Sequence, residues 1–141
     1  MDTPEELRQA YLATVVTVEI EAEHWVTIEE SVRSLPTPLH IVTPWNPFSV
    51  ELSEDENHAR MSRLVAYLDR TSTKWLHAKG TSPDGSWSED SVLLVGMSRD
   101  QALELGRAYD QHAIFEITKL DLIVLSCAGT WETNRGLKQE F

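Results

Sequence analysis

The chain has 141 residues, 41% of them hydrophobic, and a formal net charge of −11. That size and composition fit a single soluble domain over residues 1–141 with one core. The charge argues against nucleic acid as a partner, since Lys and Arg are scattered singly along the sequence, and no apolar run approaches the roughly 20 residues of a membrane span.

The opening stretch MDTPEELRQ is acidic and lacks the basic-then-apolar order of an export signal. Cys127 stands alone, so no internal disulfide is expected and a cytoplasmic setting follows. Thr3-Pro4-Glu5-Glu6 carries a first-turn proline and first-turn acids, predicting a short helix to about Leu12. Thr14 to Ile20 is rich in β-branched residues and reads as a strand, with Trp25–Ile28 returning beside it. Leu39–Thr43 is a short apolar strand that Pro44 ends.

Ser53 with Glu56 three residues on is a capping pattern. The helix it opens, Glu54 to about Asp69, places Met61, Leu64, Val65 and Leu68 on one face. Strands are expected at Lys74–Ala78 and Ser91–Gly96, on either side of a turn-rich loop with Asp84-Gly85. Ser98 with Gln101 caps a second helix, Arg99–Asp110, whose Ala102 and Gly106 form a narrow seam. Ala113–Ile117 and Leu120–Ser126 read as the last strands, and beyond Ala128 the pattern fades into a tail.

The middle of the chain thus runs strand, helix, strand, strand, helix, strand. This predicts an α+β two-layer sandwich with a ferredoxin-like βαββαβ core, an added N-terminal hairpin and a C-terminal strand. Tracing that order brings three loops to one end of the sheet. They carry Trp45 and Asn46, then Glu54 and Asn57, then Asp84, Trp87, Glu89 and Ser91, with Gln111 at the end of the second helix. Asn46 precedes Pro47, which biases its backbone toward extended geometry. Asn57 lies on the buried stripe of its helix, as does Glu54.

Thr43-Pro44-Trp45-Asn46-Pro47, Ser53 with Glu56-Asn57, Gly80, Asp84-Gly85-Ser86-Trp87-Ser88-Glu89-Asp90-Ser91 and Gln111-His112-Ala113-Ile114-Phe115 together resemble the domain-of-unknown-function family 3293. The resemblance spans about Leu39 to Ile117. It implies small bacterial proteins without an assigned activity, and it supplies no catalytic residues.

Each rim residue has two readings. Trp45-Asn46-Pro47 is a structural plug or a ligand contact, and Trp87 is a lid or a stacking wall. Glu54, Asp84 and Glu89 brace loops, or serve as an acid–base pair or a hard-metal site. His58, His77 and His112 show no ligand spacing, and Ser91 lacks a nucleophile-elbow setting. No metal and no cofactor are therefore expected. The first functional reading is a non-enzymatic module whose rim engages a protein or a small ligand. The alternative is a small hydrolase-like enzyme built on Glu54, Asp84 and Glu89, and a third is an acidic inhibitor of a basic or nucleic-acid-binding protein. Trp131 is a candidate partner contact. The apolar run Leu122–Leu125 needs cover on both faces or pairing across a homodimer.

Overall fold

The computed structural model describes residues 3–137. It is an α+β protein with one eight-stranded sheet of order β2-β1-β4-β5-β3-β6-β7-β8. The strands are β1 (Val15–Glu21), β2 (His24–Thr27), β3 (Leu39–Val42), β4 (Lys74–Thr81), β5 (Ser88–Val95), β6 (Ala113–Ile117), β7 (Leu122–Ser126) and β8 (Glu132–Asn134). Every neighbouring pair is antiparallel. The helices are α1 (Glu5–Ala13), α2 (Ile28–Ser31), α3 (Glu54–Arg70) and α4 (Arg99–Ala108).

Local chemistry sets the helix starts. The Ser53 hydroxyl accepts from the Glu56 amide at the head of α3. Ser98 and Gln101 exchange side-chain and backbone bonds at the head of α4, a complete capping box. The short α2 replaces the expected end of a strand at Ile28. Its Thr27 oxygen accepts from the Glu30 amide, and that Thr-x-x-Glu spacing is a helix-start pattern in its own right.

Leu64 and Leu68 of α3, with Ala102 and Leu105 of α4, pack on Val42, Val92, Leu94 and Ile114. Gly106 lets α4 approach closely: a Cβ there would lie 2.7 Å from Ile114 Cγ2 and 2.8 Å from Cys127 Sγ. The other face is also covered. Tyr11 and Leu12 of α1 and Ile28 of α2 join Val16, Val18, Ile41, Leu93 and Phe115 in a second core. The expected two-layer sandwich therefore gains a partial third layer, which is why every residue of β3 and β6 is buried.

The tail carries structure as far as it is described, to Leu137, and its last residues, 138–141, lie outside the described residues. β8 pairs with β7, and Arg135 donates to the carbonyls of Leu12 and Thr14. β7 lies between β6 and β8, with Leu122 and Val124 in one core and Leu125 in the other, so the apolar run is covered within the chain. The β4–β5 hairpin is also longer than expected. It pairs from Lys74↔Val95 to Thr81↔Ser88 and leaves a loop of only Ser82–Trp87. Among the described residues no helix is long and apolar enough to cross a membrane.

Candidate functional site

A cavity of about 520 Å³ opens at one end of the sheet, on the face opposite the Leu64 and Leu68 side of α3. Its floor is Ile41, Ser91 and Phe115, and one wall is Leu7, Ala10, Tyr11 and Thr14 of α1. The roof comes from the Trp45 loop and from Trp87. Trp45 and Trp87 therefore share one pole, as the chain tracing requires. Asn46, Glu54, Asn57 and Glu89 complete the rim residues that line it.

Asp84 and Gln111 stand apart from the lining. Asp84 Oδ1 accepts from the hydroxyls of Ser82 (2.7 Å) and Ser86 (2.8 Å) and from the Ser86 amide (3.0 Å). The Ser86 amide foremost, then the two hydroxyls, holds its carboxyl down to about 2. This is loop bracing ahead of Gly85. Gln111 is buried, and its Nε2 donates to the carbonyls of Trp45 (2.9 Å) and Tyr109 (3.0 Å). It is a strut under the tryptophan loop.

The loop itself is held by an amide network. Asn57 is 2% exposed. Its Oδ1 accepts from the Asn46 amide at 2.9 Å, and its Nδ2 donates to Asn46 Oδ1 at 2.9 Å. The same Asn46 oxygen accepts from the Leu52 amide, and Asn46 Nδ2 donates to Glu89 Oε2 at 2.9 Å. Asn46 is left-handed, with φ 48° and ψ 70°, rather than extended. The following proline excludes the right-handed helical region, and Asn tolerates the left-handed one. Phe48 (φ 48°) and Ser49 (φ 62°) share that hand. Three such residues in one short loop mark strain that the network must hold.

Electrostatics give the cavity its character. Glu51, Glu54 and Glu89 line it, and no Lys, Arg or His does among the described residues. Burial pushes the Glu89 carboxyl above the usual carboxylate range, with the Asn46 amide pulling the other way. Burial first, then the nearby Glu89 charge, pushes the Tyr11 phenol up. Trp45 Nε1 is buried without a hydrogen-bond partner. That nitrogen has almost no accessible surface, so it is closed off from the cavity that the rest of the ring lines.

The histidines lie against aromatic rings: His58 against Trp45 (5.7 Å), His112 against Phe48 (5.4 Å) and His77 against Trp75 (4.8 Å). Among the described residues no three His, Cys, Asp or Glu side chains gather as a metal site. Trp131 is half-buried against the second core, with the Arg8 guanidinium 5.0 Å over its ring. Sequence reasoning placed a helix at α1 but gave it no part in the site. Leu7, Ala10, Tyr11 and Thr14 recur at the spacing of one helical face, and that stripe was the available signal.

Comparison with curated proteins and with solved structures yields no match. The family model described as "Protein of unknown function (DUF3293)" matches residues 42–114, which include the tryptophan loop, α3, the β4–β5 hairpin and α4. With more than half of its length under that model, the chain belongs to the DUF3293 family.

Proposed function

We propose that the cavity binds a small, flat organic cation or amine, with Glu89 as its counter-charge. The observation that carries this reading is the lining: three carboxylates and no cationic side chain among the described residues, within aromatic walls of Tyr11, Trp45, Trp87 and Phe115. A carboxylate that burial disfavours gains most from a cation, and an aromatic face adds about 0.5–2 kcal/mol of cation–π attraction. The protein is thus read as a binding module whose rim amides position Glu89 and whose Asp84 and Gln111 are struts. The order β4-β5-β3-β6, with α3 and α4 on one face, supports a ferredoxin-like core extended by β1–β2 and β7–β8.

A thermal-shift screen tests it with matched amines, isosteric alcohols and carboxylic acids against wild type, Glu89→Gln and Glu54→Gln. Amines should stabilise the wild type, and Glu89→Gln should weaken them by about 10- to 100-fold, the worth of a charge-assisted bond. Stabilisation by acids instead, or an unchanged response in Glu89→Gln, contradicts the reading. The raised carboxyl of Glu89 also supports a second reading, proton transfer to or from a bound substrate. In that case Glu89→Gln retains binding and loses turnover.

A further inference from the structure

A second concavity lies between α3 and α4, holds about 1390 Å³, and contains none of the tryptophan-rim residues. Four of the 12 basic residues line it, Arg60, Arg63, Arg70 and Lys74, against one carboxylate, Glu104. In a chain of net charge −11 this is a local reversal of sign. It does not show as a run of adjacent charges: Arg60, Arg63 and Arg70 come together through the helical spacing of α3, and Lys74 joins them where α3 turns into β4.

We propose that this groove docks a short acidic peptide segment of a partner protein. Three features select that occupant. First, the cations are strung out rather than convergent: Arg60 to Arg70 spans about 15 Å of helix, the length of about five extended residues. A single phosphate would engage one end only. Second, the groove is short and its surroundings are hostile to a long polyanion. Glu54, Asp55 and Glu56 occupy the first turn of α3, just beyond Arg60, so nucleic acid continuing past the groove meets like charge. Third, the walls hold apolar surface as well as charge. Arg60 lies 5.6 Å over the Tyr109 ring and Arg70 lies 5.9 Å over Tyr67, with Met97 and Leu105 beside them. The Arg70 guanidinium stacked on Tyr67 is set up for a carboxylate, Arg60 adds charge from a fixed position, and Met97 and the exposed part of Tyr67 receive the apolar side chains between.

The cations differ in their freedom. Arg60 is committed to the scaffold: its Nε donates to the Pro44 carbonyl and its Nη2 to that of Tyr109. Arg63 and Lys74 are exposed, and their side chains form no hydrogen bond or ion pair among the described residues. They are the positions to reverse, since the fold does not use them.

The test is fluorescence anisotropy of the full chain with a labelled peptide of alternating glutamate and leucine, about six residues long to match the groove. The same peptide with glutamine for glutamate and a single-stranded DNA oligonucleotide of equal length serve as comparisons. The acidic peptide should bind saturably and weaken as salt rises, and Arg63→Glu/Lys74→Glu should weaken it about tenfold or more. Arg63→Gln alone, a milder change on an exposed surface, should weaken it in the same direction. Equal binding of the glutamine peptide, tighter binding of the oligonucleotide, or indifference of both variants overturns the proposal. Concentration-dependent self-association that the double variant abolishes also overturns it, in favour of a second copy as occupant.

Discussion

Asn57→Ala is the most informative single substitution in the scaffold. The wild-type side chain is 2% exposed, and it exchanges two 2.9 Å hydrogen bonds with Asn46. Removing it strands the Asn46 backbone N–H and takes one donor from Asn46 Oδ1. Loss of buried bonds with an orphaned donor costs about 1–3 kcal/mol, and the strain of left-handed Asn46, present with or without Asn57, does not add to the difference. That cost lowers Tm by roughly 3–10 °C for a chain of this size. Asn57→Asp sharpens the argument. Its first oxygen still accepts from the Asn46 N–H, but its second faces Asn46 Oδ1 where a donor stood. It should be nearly as damaging as alanine at neutral pH and should recover as acid protonates it. Thermal melts from pH 4 to pH 8 check both variants. An Asn57→Ala Tm within about 1 °C of wild type refutes the claim that this network holds the loop.

Glu89→Gln should raise stability at neutral pH. Burial lifts the folded carboxyl above its ordinary value of 4.5, so the native state binds the proton more tightly than the unfolded chain. Its stabilising contribution is full below that value and is lost as pH rises through the folded one. The Tm advantage of the variant should appear above that window and vanish below it, and a variant less stable at every pH contradicts this. Glu116 has the opposite sign. Arg99 foremost, with help from His40 against burial, holds its carboxyl below 4.5, so its contribution is present above that value and is lost as pH falls through the lower folded one. Its oxygens take Arg99 Nη2 at 2.6 Å and Nε at 2.9 Å and meet His40 Nε2 at 2.9 Å. Glu116→Ala should cost about 2–4 kcal/mol in urea melts, toward the lower end because the Arg99 side chain is 43% exposed. Gly106→Ala should destabilise despite the better helix propensity of alanine. Its Cβ would sit 2.7 Å from Ile114 Cγ2, and overpacking of about 1–3 kcal/mol exceeds a helix gain of about 1. A Tm above wild type would show that α4 can move away from the sheet.

Much of the element order was legible because its signals are local. Capping serines at 53 and 98, the Leu64–Leu68 stripe and the β-branched strands need no tertiary information. The poles of the chain followed from that order, which is how Trp45, Trp87 and Glu89 were brought to one place. The cavity behind them was not legible, because it depends on α1 folding back across the sheet. Neither Tyr11 nor Phe115 carries a label for that contact, and their rings meet edge-on at 6.1 Å only in the folded chain. Asn46 shows another limit. Pro47 rules out one backbone region, but the choice between extended and left-handed goes with Asn57, Glu89 and Leu52, which hold the backbone N–H, the side-chain Nδ2 and the side-chain Oδ1 of Asn46 in turn. The groove of Arg60, Arg63, Arg70 and Lys74 likewise becomes a patch only through helical spacing plus the turn at Thr71–Thr73.

The most direct test of the central claim is a crystal structure with the amine that stabilises the protein most. A ligand nitrogen within hydrogen-bond distance of the Glu89 carboxylate, its flat body between the indoles of Trp45 and Trp87, is the expected result. Density for the ligand outside this cavity, or inside it with its nitrogen turned away from Glu89, would contradict the account.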